Sequence, residues 1–65
     1  MDVIRKNFLE ENSGKNIRII FGNGFQLRGR LLEYDETHML IETSAYDSDP
    51  IVVPHTAVNA YVPSK

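Results

Sequence analysis

The chain has 65 residues, enough for one small domain spanning residues 1–65, and a domain of this size buries only about 60% of the surface its unfolded form exposes, so its own core supplies roughly 3–5 kcal/mol. It has no cysteine and only two histidines, His38 and His55, which excludes a disulfide framework and a thiolate zinc site and leaves too few imidazoles for a metal cage; no cofactor is expected. A formal net charge of −2 and a pI near 5.5 exclude a protein that coats nucleic acid by charge alone.

The stabilising device that remains is assembly with further copies. No apolar run approaches the ~20 residues of a membrane span, and no signal-peptide core is present, so a cytoplasmic location and no membrane partner are expected. Charge is unevenly spread. Residues 1–30 carry six Lys and Arg against three Asp and Glu, whereas residues 31–65 carry one against six. This predicts one acidic and one less acidic surface.

In chain order, "DVIRKNFLEENSG" predicts a short helix over about residues 3–12. Asp2 can cap it, Ile4 and Phe8 stand one turn apart with Val3 and Leu9 beside them, and Gly14 can take the left-handed stop position. "KNIRIIF" alternates and predicts a strand over about 15–21; Ile20 and Phe21 cannot both face a core from a regular strand. Asn23-Gly24 predicts a hairpin. The next strand, about 25–34, has its apolar residues at odd positions to Leu31 and then at Leu32 and Tyr34. That change of parity requires a bend or bulge, and Gly29 just before it is the expected fold-over point. Further strands are predicted over about 38–43, 51–53 and 57–62, with a polar loop over 44–50 and a tight Pro54-His55-Thr56 corner. The expected fold is mainly β: one N-terminal helix and a small open barrel of five strongly bent antiparallel strands. The last two strands carry no charge to guard a sheet edge, which predicts head-to-tail pairing between copies that can close into a ring.

The short helix, "NGFQLRGRLLEYD" and the closing "VPHTAVNAYVPSK" resemble the bacterial Hfq proteins of the Sm/Lsm superfamily. The specific part is Asn23-Gly24, Gln26-Leu27-Arg28-Gly29 and Tyr34-Asp35. The resemblance implies the Sm-like fold, a homo-oligomeric ring with the family's hexameric stoichiometry, and a chaperone that pairs small regulatory RNAs with messages. It implies a distal face for single-stranded purine-rich RNA built from Ile20, Phe21, Gly24, Phe25, Gln26, Leu27 and Arg28. It also implies a proximal uridine-rich site at Tyr34, Glu36, His55 and Thr56. Several positions depart from the family pattern. Glu36 replaces a glutamine, which predicts a weakened proximal site. Glu10, Glu11 and Asn12 replace an arginine patch. The 44–50 loop is about three residues longer, and either His55 or Thr56 aligns with the family histidine. "DETHM" resembles the ending of the eukaryotic and archaeal Sm motif, but its spacing is one residue too long.

The physics of the opening hairpin agrees. Single-stranded RNA offers flat bases and hydrogen-bonding edges, so Phe25 is a candidate platform, Gln26 a reader of a purine edge, and Gly24 a point of close backbone approach. Period-two residues such as Leu27 are equally candidates for core. No nucleophile elbow or glycine-rich phosphate loop accompanies the few acid–base groups, so no enzyme is expected. The alternative reading is an Sm-like ring that acts mainly as a protein scaffold with little RNA affinity.

Overall fold

The computed structural model describes residues 3–44 and 49–64. Asp2, the expected helix cap, and residues 45–48 of the long polar loop lie outside the described residues. Helix α1 spans Val3–Glu11, followed by β1 (Asn16–Phe21), β2 (Gln26–Tyr34), β3 (His38–Glu42), β4 (Ile51–Pro54) and β5 (Val58–Pro63), with a 3-10 turn at His55–Ala57. All pairings are antiparallel, and the order across the sheet is β4-β3-β2-β1-β5. The architecture is therefore the expected one: one helix, then five antiparallel strands in an open sheet.

Alternation sorts the side chains. Ile17, Ile19, Leu27, Leu31, Met39, Ile41 and Val53 are buried on the inner face. Arg18, Gln26, Arg28 and Arg30 take the intervening positions and form the outer one. The helix closes the core through Leu9, which is fully buried, with Phe8 packed beside it. Ile4, expected to share that stripe, is 80% exposed. The reason is the helix exit. Gly14 adopts φ 78 and donates its N–H to the Leu31 carbonyl at 2.7 Å, while Leu31 N–H donates to Lys15 at 2.9 Å. These bonds tie the end of the helix to the middle of β2, so the residues nearest the exit are pressed onto the core.

The parity change in β2 is a bulge. Leu31 pairs with Ile41 but Glu33 pairs with Leu40, so Leu32 is the extra residue. Gly29 serves a neighbouring need. A β-carbon there would lie 2.5 Å from Ile41 Cγ2 and 2.7 Å from the Glu42 carbonyl oxygen. Gly29 thus allows β3 to close onto β2, and Leu32 absorbs the register that closure displaces.

The β1–β2 hairpin turns through Gly22, Asn23 and Gly24. Gly24 N–H donates to Phe21 at 2.9 Å, Phe21 N–H to Phe25 at 2.8 Å, and Gly24 takes φ 90. The loop is thus three residues long, with glycine at its left-handed position. Asn23 Oδ1 accepts Phe25 N–H at 2.9 Å and stiffens the tip.

Candidate nucleic-acid interface

Two separated sets of residues correspond to the expected RNA sites. At the hairpin tip, Phe21 and Phe25 lie with ring centroids 6.0 Å apart and tilted by 31°. Phe25 is 54% exposed, whereas Phe21 is half-buried against the core. With Gly22, Asn23 and Ala57 they line a shallow hollow, and Gly22 N–H donates to the Ala57 carbonyl at 3.3 Å. Of the seven distal residues, Phe21 and Phe25 line this hollow and the other five do not. Ile20, Gln26 and Arg28 stand on the outer face of the sheet, where Ile20 pairs with Gln26 and with Ala60 of β5. Leu27, expected on the RNA face, is 5% exposed and lies on the inner face of this chain by strand alternation. Ile20 and Phe21 do point to different sides, and the β1–β5 register shifts between them. Ala57, which no motif marked, joins the site only because the β4–β5 corner folds against the hairpin, and Asn23, marked as a turn residue, joins it from the hairpin itself.

The proximal set gathers where the β2–β3 turn meets the β4–β5 corner. Asp35 Oδ1 accepts the N–H groups of Thr37 and His38, both at 2.8 Å, and the Thr37 hydroxyl at 3.1 Å. The His38 and Thr37 backbone donors, followed by the Thr37 hydroxyl, hold the Asp35 carboxyl below its ordinary range. His55 locks the corner onto this turn. Its N–H donates to Thr37 at 2.9 Å, its Nε2 lies 2.9 Å from the Asp35 carbonyl oxygen, and its Nδ1 lies 2.8 Å from the Tyr61 hydroxyl. A carbonyl only accepts, so Nε2 carries a proton and donates to Asp35, while Nδ1 shares a hydrogen bond with the Tyr61 hydroxyl.

His55 is only 4% exposed, and both ring nitrogens are engaged. At this position, expected to meet RNA, both ring nitrogens are taken up by bonds that hold the corner to the β2–β3 turn and to β5. Thr56 and Glu36 are exposed beside it and Tyr34 is half-buried. Arg5 and Lys6 of α1 also reach this region, which sequence spacing alone did not reveal. Arg5 Nη2 approaches the Glu36 carbonyl at 3.5 Å, and Val3, Lys6, Tyr34, Asp35 and Glu36 line one hollow. Among the described residues no group of three or more His, Cys, Asp and Glu side chains is placed to hold a metal. No helix among them is long and apolar enough to cross a membrane.

An N-terminal helix leading into five antiparallel strands, the second bulged and closed over by the third, defines the Sm-like fold. The chain is similar over 91% of its length, and over 97% of the other chain, to a crystal structure of the pleiotropic translational regulator Hfq, with a TM-score of 0.80 and 23% sequence identity. No family model matches the sequence, and no curated protein matches it. The chain thus has the fold of Hfq.

Proposed function

We propose that this chain is the subunit of an RNA-binding ring that acts as a post-transcriptional regulator in the cytoplasm, bringing small regulatory RNAs to messages. The observation that carries this reading is Phe25, an exposed aromatic ring at a stiffened hairpin tip. It is backed by Phe21 and followed directly by the exposed amide of Gln26, on the fold of a translational regulator. A base stacks on the ring while the amide meets a purine edge. Recognition by pockets rather than by bulk charge suits an acidic chain.

The ring supplies the stability that one subunit lacks. β4 and β5 each have one strand neighbour among the described residues, and neither "IVVP" nor "VNAYVP" carries a charge. Pairing them between copies satisfies both edges. The proximal face is the weaker site, because the exposed Glu36 carboxylate beside Tyr34 repels phosphate and His55 is committed to the corner.

The test is binding of purine-rich single-stranded RNA at physiological salt, with Phe25→Ala as the variant. Loss of one stacking platform is expected to weaken binding about five- to hundredfold. An intact ring that binds no RNA would overturn the proposal in favour of the protein scaffold, a reading the acidic Glu10-Glu11 end of the helix favours.

A further inference from the structure

On the outer face of the sheet, Arg18 of β1 stands directly opposite Arg28 of β2. Like charges opposed across two strands repel, so this pair costs stability. The ion pair found among the described residues joins the next cation, Arg30, to Glu42 at 2.8 Å. Glu33, the other acid on this face, lies beyond the bulge. No carboxylate among the described residues lies within salt-bridge distance of Arg18 or Arg28. Arg18 is also half-buried, and its Nε is shut off from solvent without a hydrogen-bond partner among the described residues. A guanidinium partly out of water and without an anionic partner gains more from an incoming oxyanion than a freely solvated one does.

Position supplies the ligand class. Arg28 follows Gln26 by two residues on the same face, about 7 Å along the strand, and Arg18 follows Ile20 in the opposite direction on β1. The arginine pair thus continues outward from the proposed base-reading residues. We infer that Arg18 and Arg28 form a phosphate track for single-stranded RNA, gripping the backbone next to the base held at the hairpin tip. Arg18 becomes a binding residue that no motif marks. The inference rests on the RNA-binding reading, and it assigns sequence-independent affinity to a surface of a net-acidic protein.

The experiment measures anisotropy of two labelled oligomers of equal length, a purine-rich RNA and a fully abasic one, between 50 and 200 mM salt (roughly the range over which counterion release is read). Arg18→Gln is expected to weaken both. It should also flatten the salt dependence, by about 2.6-fold over that range for each single-strand phosphate left without its guanidinium. Arg18→Lys should keep the slope. Arg28→Gln should repeat the effect, and it carries the test if the Arg18 variant fails to fold. Phe25→Ala should weaken the purine-rich oligomer alone. Unaltered slopes in the arginine variants, with Phe25→Ala still damaging, would overturn the track and leave the base reading intact. Abasic binding that depends on Arg18, with Phe25→Ala harmless, would support the track and overturn the base reading. Failure of both oligomers to bind would overturn both.

Discussion

A histidine at a strand corner offers two nitrogens of different character, and the fold decides whether either remains for a ligand. In this chain neither does: the Asp35 carbonyl takes one and the Tyr61 hydroxyl the other. His55→Ala would remove a buried side chain and both of its part-buried hydrogen bonds, to Asp35 and Tyr61, a loss of about 1–3 kcal/mol. That is a large share of the roughly 3–5 kcal/mol such a small core supplies. Urea unfolding of His55→Ala is expected to show a lower midpoint, with His55→Gln recovering part of it; an unchanged midpoint would return the ring to solvent and to RNA. The corner itself was legible from Pro54-His55-Thr56. Its burial was not, because the partners sit 20 residues before it and 6 after it, and no local pattern couples them. Leu27 was legible only as a choice between core and platform, and in the folded sheet strand alternation places it on the inner face.

Among the elements, β2 shows how far a pattern can be read. The change from odd to even apolar positions announced an irregularity, and the bulge at Leu32 is that irregularity. Gly29 was marked as the bend. Its conformation is ordinary; what it provides is room for Ile41 and the Glu42 carbonyl. Gly29→Ala forces a methyl group into that space, and overpacking of this kind costs about 1–3 kcal/mol. A urea midpoint equal to the parent's would show that β3 can withdraw freely. Helix α1 was legible as an element but not in its rotation. Ile4 and Phe8 form the better stripe on paper, yet Leu9 is the buried anchor, because bonds from Gly14 and Lys15 to Leu31 set the exit direction. Those bonds join residues 16 and 17 positions apart, beyond any helical periodicity.

At the scale of the whole molecule, size and topology lead to the same conclusion. A chain of 65 residues buries too little to be stable by a wide margin, and its sheet ends on two uncharged strands with Val52 64% exposed on one of them. The open, uncharged edges were legible because β4 and β5 lack every charged residue type. Their placement at opposite margins of one sheet was not, since the order β4-β3-β2-β1-β5 brings the first strand beside the last. In the proposed ring, margin-to-margin pairing repeats the hairpin tip and the arginine pair around an axis, so that modest single interactions add along one bound strand. The most direct test is the mass of the assembly under native conditions at micromolar concentration. A single species of six copies is expected, six times the 7.4 kDa of one chain, and a stable, monodisperse monomer would contradict the ring and both faces with it.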